Sequence, residues 1–149
     1  MKSQIVFNKK QQESIIEAIR LAELNTSGEI RLHVEPKCAG DAYKRALQVF
    51  AELKMHETEQ KNGVLFYLAY KDKKFSIVGD EGIHNKVKDA FWNEVRDILT
   101  LHFKQDNFAE GLVEGIAKAG EKLKSFFPYQ SNDSNELSND ISFGGQADA

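Results

Sequence analysis

The segment Thr26-Ser-Gly-Glu-Ile-Arg-Leu-His-Val-Glu35 decides the fold of this chain. Its apolar side chains, Ile30, Leu32 and Val34, occupy alternate positions, and the positions between them are polar. Strict alternation of this kind indicates a β-strand with one face buried and the other face in contact with water. Pro36 follows directly, and proline is not tolerated inside a central strand. We therefore predict that the strand ends at this proline.

Two further runs predict strands of different character. Asn62-Gly-Val-Leu-Phe-Tyr-Leu-Ala-Tyr70 is apolar almost throughout, which is typical of a central strand covered on both faces. Lys74-Phe-Ser-Ile-Val-Gly-Asp-Glu-Gly82 contains the third strand and ends in a loop that begins at Gly79. Only the short polar turn 71–73 separates the second strand from the third, so we expect an antiparallel hairpin.

Helical periodicity accounts for the other ordered segments. Asn8 is positioned to cap the first helix, and Asp41 opens the second helix, which lies between the first two strands. The apolar stripes of the four predicted helices consist of Ile15, Ile19 and Ala22; of Tyr43, Leu47, Phe50 and Leu53; of Val87, Phe91, Val95, Ile98 and Leu99 in one long third helix; and of Phe108, Leu112, Ile116, Ala119 and Leu123 in the last helix, which Pro128 ends.

The order helix, strand, helix, strand, strand, helix, helix predicts an α/β fold. The first two strands are expected to be parallel because a right-handed crossover joins them, and helices then cover both faces of the sheet. The predicted architecture is a three-layer α/β/α sandwich with a small mixed central sheet. We expect one domain over residues 1–128 and a polar, partly mobile tail over residues 129–149, which can dock on the domain through Leu137–Phe143.

Composition narrows the functional classes. The 149 residues are 41% hydrophobic and 29% charged with a net charge of −3, which suits one globular domain and offers no basic footprint for nucleic acid. The single cysteine, Cys38, cannot form an internal disulfide. We find no apolar core of a signal peptide near the first residue and no run of membrane-spanning length. These features predict a cytoplasmic protein without a membrane span.

Several catalytic patterns are excluded by their spacing. A cysteine phosphatase loop needs Cys-x5-Arg, and the residue at that spacing from Cys38 is Lys44. The sequence contains no Asp-x-Asp pair at a strand end, no Walker phosphate loop and no Gly-x-Gly-x-x-Gly. Its four histidines are scattered without metal-ligand spacing. Carboxylate and amide oxygens at the sheet edge remain as the candidate chemistry.

The predicted topology brings polar strand ends together. The starts of the first two strands and the end of the third share one edge, where Glu29, Asn62, Asp80 and Glu81 offer the oxygen ligands that Ca²⁺ or Mg²⁺ prefers. We expect Thr26 and Ser27 at the same edge, with Ser27 and, from the tail, Asp140 as further candidate ligands. The alternative left open is that Gly79 to Gly82 is a turn whose acids cap the third helix.

The same residues resemble a known family. The stretch 22–35 with Thr-Ser-Gly-Glu-Ile-Arg, the strand that begins Asn62-Gly-Val-Leu and the loop Ile77-Val-Gly-Asp-Glu-Gly-Ile83 are similar to the TPM domain family, which includes thylakoid-lumen acid-phosphatase-like proteins and bacterial relatives. The resemblance covers about residues 5 to 128, and residues 135–144 resemble the tail of short bacterial members. It implies a helix/sheet/helix sandwich, divalent-cation binding in some members, and either phosphatase activity or an accessory role in membrane complexes.

Two departures from the family pattern affect what can be carried over. We expect this chain to lack the signal peptide and the C-terminal anchor of longer members, and Lys61 stands where many members have an acid before the Asn-Gly pair. One hypothesis is a metal-assisted phosphatase of phosphomonoesters, with a cation on Asp80, Glu81 and Glu29. Ser27 is a conceivable nucleophile but has no activating neighbour in sequence, and no general acid is evident. The other hypothesis is a non-catalytic module that binds a partner protein and holds a structural Ca²⁺.

Overall fold

The coordinates are a computed structural model, which describes residues 6–129 and 137–144. Five α-helices, one 3₁₀ helix and four strands occur in these residues. In chain order they are α1 (Lys9–Ala22), β1 (Glu29–Glu35), α2 (Ala42–Glu52), β2 (Gly63–Ala69), β3 (Lys74–Gly79), α3 (Glu81–His84), the 3₁₀ helix (Asp89–Trp92), α4 (Asn93–Lys104), α5 (Phe108–Leu123) and β4 (Ser142–Phe143).

The four strands form one mixed sheet in the order β3-β2-β1-β4. Strand β1 runs parallel to β2, with Glu29 opposite Gly63, and β2 runs antiparallel to β3, with Val64 opposite Gly79. Both pairings confirm the topology expected from the sequence. The two-residue strand β4 pairs in parallel with the outer edge of β1.

The helices cover the sheet unequally. One apolar core joins α1, α4 and α5 to the face of the sheet that carries Ile30, Leu32 and Phe66. A second, smaller core joins α2 to the opposite face, which carries Leu65 and Tyr67. This confirms the predicted three-layer α/β/α sandwich. Within the described ranges, no helix is both long enough and apolar enough to cross a membrane.

The prediction that the polar face of β1 is exposed to water is wrong. Glu29, His33 and Glu35 are only 5%, 5% and 6% exposed. Side chains from α2 and β2 and the backbone of residues 137–144 cover them. Alternating polarity therefore reflects a strand with an apolar core on one face and buried ionisable groups on the other.

Two helix predictions also need correction. In α2 the buried residues are Ala46, Val49 and Phe50, whereas Tyr43 and Leu47 are 50% and 43% exposed. The helix is therefore rotated by about one residue relative to the predicted stripe, with small residues against the sheet.

The predicted long third helix is interrupted. Helix α3 begins inside the predicted loop, and Lys88 then adopts an extended conformation before the 3₁₀ helix, so α4 starts only at Asn93. Val87 and Phe91 consequently lie outside α4. Trp92 is 7% exposed and lies against Gly79 at the end of β3, which places the interrupted segment on the sheet.

The tail contributes structure through residues 137–144, which lie along β1 and include β4. Residues 130–136 and 145–149, to which the prediction of mobility also applied, are outside the described residues.

Candidate functional site

Backbone hydrogen bonds hold the predicted edge together. The Glu29 N–H donates to the Asn62 carbonyl at 3.2 Å, and the Asp80 N–H donates to the Gly63 carbonyl at 2.9 Å. The Gly82 N–H donates to the Lys61 carbonyl at 2.8 Å. The starts of β1 and β2 and the end of β3 are thus joined in one continuous structure, as their order in the sheet requires.

Asn62 is a deeply buried polar residue of this edge, at 1% exposure. Its Nδ2 donates to the Ser27 carbonyl at 3.1 Å and lies 3.4 Å from the Ser27 hydroxyl. Its Oδ1 is buried and has no hydrogen-bond partner among the described residues. A buried amide oxygen without a partner costs about 1–3 kcal/mol, so this oxygen is available to a ligand.

Asp80 has a divided role. Its Oδ1 accepts the Glu81 N–H at 2.8 Å and caps α3, which agrees with the capping alternative for this loop. Its Oδ2 is buried and lacks a hydrogen-bond partner within the described part of the chain. Capping therefore accounts for one carboxylate oxygen and leaves the other unexplained.

Backbone carbonyls add further oxygens. Gly82 packs against the carbonyl oxygens of Gln60 and Lys61 so closely that a Cβ at this position would overlap both. A Cβ at Gly63 would lie 3.1 Å from the Met55 carbonyl oxygen. The loop before β2 therefore directs main-chain oxygens toward the end of β3.

The other predicted ligands are spread more widely. Glu29 lies on the far side of Gly63 from Asp80, two strand spacings or about 10 Å away between backbones, and its Oε1 accepts the Leu137 N–H at 3.1 Å. Glu81 is exposed. Asp140 lies at the opposite side of the sheet, where its carbonyl accepts from Arg31 at 3.3 Å.

Thr26 has a structural role at this edge. Its hydroxyl donates to the Phe127 carbonyl and accepts the Gly28 N–H at 3.1 Å. These bonds tie the end of the domain to the start of β1. No group of three or more His, Cys, Asp or Glu side chains that could hold a metal ion occurs in residues 6–129 and 137–144. Any cation here would depend on amide and main-chain oxygens as well as carboxylates.

Sequence reasoning did not identify Glu23 as part of this region. Its Oε2 accepts the Ile30 N–H at 2.9 Å. Burial raises the pKa of Glu23 to about 8, with a further increase from the Glu29 charge, although the Ile30 hydrogen bond opposes the shift. An acid that follows directly after a helix and precedes a strand was the only available signal, and it does not reveal burial.

A second polar cluster lies at the other end of β1. The Glu35 carboxylate accepts from Arg45 Nε at 2.9 Å and Nη2 at 3.0 Å, and the Tyr67 hydroxyl also donates to it. His33 Nε2 lies 3.0 Å from Glu35 Oε1, and the rings of His33 and Tyr67 stack with centroids 6.0 Å apart. We refer to Glu35, Arg45, Tyr67 and His33 as the buried ion network.

The network determines the protonation of its members. Burial alone would raise the pKa of Glu35, but hydrogen bonds from Arg45, Tyr67 and His33 outweigh it and lower the pKa to about 2. Burial lowers the pKa of His33 and raises the pKa of Tyr67. At neutral pH the cluster therefore holds a carboxylate, a guanidinium, a neutral imidazole and a neutral phenol.

Fold and edge together define a class: a small α/β/α sandwich in which two buried oxygens, without a hydrogen-bond partner in the part of the chain that the structure describes, lie at the start of β2 and just after β3. The family model of the TPM domain matches residues 2–122, and the chain belongs to that family. The match confirms the family resemblance inferred from the three strand motifs.

Three solved structures are similar to this chain. The chain is 48% identical to the BA42 protein of the psychrophilic bacterium Bizionia argentinensis, with a TM-score of 0.88 over 93% of this chain and 95% of that one. The N-terminal domain of a P. gingivalis protein matches at 19% identity and a TM-score of 0.68, over 85% of this chain and 83% of that one. The N-terminal domain of cg2496 from Corynebacterium glutamicum matches at 14% identity and a TM-score of 0.63, over 94% and 81%. These last two share the fold alone. The search of curated proteins found no match.

Proposed function

We propose that the edge formed by Asn62, Asp80 and the carbonyls of residues 60–61 binds a divalent cation, Ca²⁺ or Mg²⁺. The observation that carries this proposal is the pair of buried side-chain oxygens, Asn62 Oδ1 and Asp80 Oδ2, that have no hydrogen-bond partner in residues 6–129 and 137–144. Buried polar atoms without partners are rare in folded proteins, and an ion is one explanation for them. Hard cations coordinate amide, carboxylate and main-chain oxygens.

Ca²⁺ suits this set better than Mg²⁺. It accepts 6–8 oxygens in irregular geometry, whereas Mg²⁺ requires a near-octahedral shell and retains several waters. Two acids could add negative charge to the coordination shell: Glu81, and Glu29 if its contact to Leu137 rearranges. Lys61 contributes no anionic oxygen, and its side chain instead donates to the His56 carbonyl at 2.9 Å.

The cation could have either of two roles, one catalytic and one structural. A phosphatase would use it to neutralise the charge of a phosphomonoester and to orient water, which requires an open coordination position. A non-catalytic accessory module would use it to hold the loop before β2 against the end of β3. Because the two unpartnered oxygens are buried, the structural role is favoured, and the phosphatase role depends on the exposed Glu81 side of the loop.

The test is thermal unfolding with and without cation, combined with isothermal titration calorimetry. Millimolar Ca²⁺ is expected to raise the Tm of protein first treated with a chelator by several degrees, since saturation at 100 times Kd stabilises by about 2.7 kcal/mol. Asp80→Asn should lose this increase, yet equal or exceed the native chain without cation because it removes a buried, unpartnered anionic oxygen.

Asp97→Asn, an exposed acid on α4, is the matched control and should respond to Ca²⁺ as the native chain does. If neither Ca²⁺ nor Mg²⁺ changes the Tm or produces heat, cation binding is refuted. Release of phosphate from a generic monoester, present with the native chain and cation and absent with Asp80→Asn, would separate the phosphatase from the accessory module.

A further inference from the structure

The outer edge of β1 is contacted by the chain's own residues 137–144 through groups of different chemistry. The Leu137 N–H donates to Glu29, Arg31 Nη2 donates to the Asp140 carbonyl, and the Gly144 N–H donates to the Val34 carbonyl at 2.9 Å. Only two residue pairs form a ladder, His33 with Ser142 and Val34 with Phe143. Most of the contact is therefore made by side chains of β1, which select what lies beside them.

The buried ion network selects a hydroxyl. His33 Nδ1 lies 2.9 Å from the Ser142 hydroxyl, and its Nε2 faces the ionised Glu35. Neutral His33 therefore carries its proton on Nε2 and donates it to Glu35, so Nδ1 is an acceptor. A serine or threonine hydroxyl at this position can donate to it, whereas an aliphatic side chain would leave a buried acceptor unpaired.

The end of the segment requires glycine. A Cβ on Gly144 would lie 2.8 Å from Glu35 Oε1 and 2.9 Å from His33 Nε2. Neither atom can move away cheaply, because Arg45 and Tyr67 hold the carboxylate. This edge therefore favours a segment with a serine or threonine and, two positions later, a glycine.

Apolar contacts define two more positions. Leu137 packs against the core beneath α2, and Ile141 packs against the core on the opposite face of the sheet. Phe143 is more exposed than these two residues, at 39%. Between them lies Arg31, whose guanidinium is near Asp140 and whose buried Nε has no hydrogen-bond partner in the described residues. The chain's own tail therefore leaves one donor of this edge unused.

We propose that the outer edge of β1 is a peptide-recognition groove, which residues 137–144 occupy within the chain and which an extended segment of a partner protein occupies in their place. In chain order, the partner segment has a leucine, an acidic residue whose side chain also reaches Arg31 Nε, and an isoleucine or valine. A serine or threonine follows, and a glycine stands two residues after it. It lies parallel to β1, where a short main-chain ladder sets its register and the β1 side chains supply most of the contact and the specificity. The tail acts as a built-in competitor at millimolar effective concentration.

The experiment uses the full chain with a substitution that displaces its own tail. Gly144→Val places atoms against Glu35 and His33 and frees the groove without altering it. The probe is a synthetic peptide of residues 137–144, titrated into ¹⁵N-labelled protein while the amides of His33 and Val34 are followed by NMR. The apparent Kd should be at least about tenfold lower for Gly144→Val than for the native chain, because the competitor is removed.

Peptide variants establish whether the recognition is specific. Ser142→Ala and Gly144→Val in the peptide should each weaken binding at least fivefold, whereas Phe143→Ala should change it less than twofold. A peptide with glutamate in place of Asn139 or Asp140 tests the acceptor for Arg31. Equal affinity for all variants, or no shifts at β1 with either protein while the Gly144→Val chain retains its folded spectrum, would overturn the proposal.

The same samples test the other occupant. A dimer of the native chain that disappears with Gly144→Val would mean that the groove takes the tail of a second copy, and the partner proposal would be rejected. A monomer at all concentrations, together with the tenfold difference, excludes a second copy and supports a groove that accepts a separate peptide segment when the tail leaves it. None of these outcomes depends on a cation, so the groove and the cation site stand or fall separately.

Discussion

Three ionisable residues along β1 have pKa values shifted in different directions because their partners differ. Glu35 meets three hydrogen-bond donors and has a pKa of about 2, whereas Glu23 receives one backbone N–H beside another acid and has a pKa of about 8. The pKa of His33 is lowered because burial outweighs its contact with Glu35. Residue type alone therefore says little about charge at neutral pH, and the donor count around each group decides it.

Glu23→Gln tests the raised pKa directly. The native state binds the Glu23 proton more tightly than the unfolded state does, so the free energy of unfolding falls as pH rises from about 4.5 to about 8. His33 contributes no opposing slope above its ordinary pKa of about 6.5. Between pH 6.5 and 8 the native chain should therefore lose stability, and Glu23→Gln should lose much less while keeping an acceptor for the Ile30 N–H.

Urea unfolding at a series of pH values provides the measurement. Glu13→Gln, an exposed acid on α1, is the control and should follow the native curve. Parallel curves for the native chain and Glu23→Gln over this range would contradict the assignment of a raised pKa to Glu23.

At the scale of elements, local sequence patterns predicted which residues form each strand or helix better than they predicted which faces are buried. Alternation identified β1, the apolar run identified β2, and the short polar turn identified the β2–β3 hairpin. The register of α2 was wrong because small residues, Ala46 and Val49, face the sheet while larger apolar ones are exposed. The interruption before α4 has no proline or glycine to announce it and follows from packing of Trp92 on β3.

The candidate site was likewise predicted only in part from the sequence. Topology alone placed the start of β2 beside the end of β3, and the structure shows Asn62 and Asp80 joined there through Gly63. The buried ion network could not be predicted, because Arg45 and Tyr67 come from elements that no local pattern links to Glu35. An alternating polar face has the same sequence appearance whether water or an ion network covers it.

Gly82→Ala tests how tightly α3 is packed on the loop before β2. The added Cβ would overlap two main-chain carbonyls, those of Gln60 and Lys61, which cannot rotate away as a side chain can. The free energy of unfolding should fall by about 1–3 kcal/mol, the usual cost of overpacking. If these carbonyls also coordinate the cation, Ca²⁺ affinity should decrease in the same variant.

Gly40→Ala is the matched control, because a Cβ at that position meets no atom within 4 Å. Urea unfolding should show a change close to zero for Gly40→Ala and a clear loss for Gly82→Ala. Equal stability of the two variants would show that α3 shifts freely on the loop, and the close approach of α3 would then have no role in shaping the oxygen-rich edge.

At the scale of the whole molecule, β1 connects both proposed sites. Its first residue, Glu29, borders the cation edge and also accepts from Leu137 of the tail, while its last residue, Glu35, anchors the ion network against α2. Displacement of the tail would therefore remove the Leu137 contact from an acid close to the cation edge. Strand β1 lies between β2 and β4, and Arg45 of α2 donates to Glu35 on its polar face, which ties the second layer of the sandwich to the sheet.

The decrease in the free energy of unfolding at acid pH should depend on Glu35. The lowered pKa means that the unfolded state binds the Glu35 proton more tightly, so its stabilisation is complete above pH 4.5 and is lost as pH falls to about 2. A difference of about 2.5 pKa units corresponds to about 3 kcal/mol as an upper value. Glu35→Gln should be less stable than the native chain at pH 7, since Arg45 and Tyr67 lose an anionic acceptor, and should show a shallower decline below pH 4.5.

Chemical unfolding between pH 2 and 7 measures both effects, with Asp97→Asn as the exposed control that keeps the native slope. If Glu35→Gln retained the full acid decline, the loss of stability in acid would have to arise from other carboxylates, and the ion network would no longer explain how α2 is held to β1.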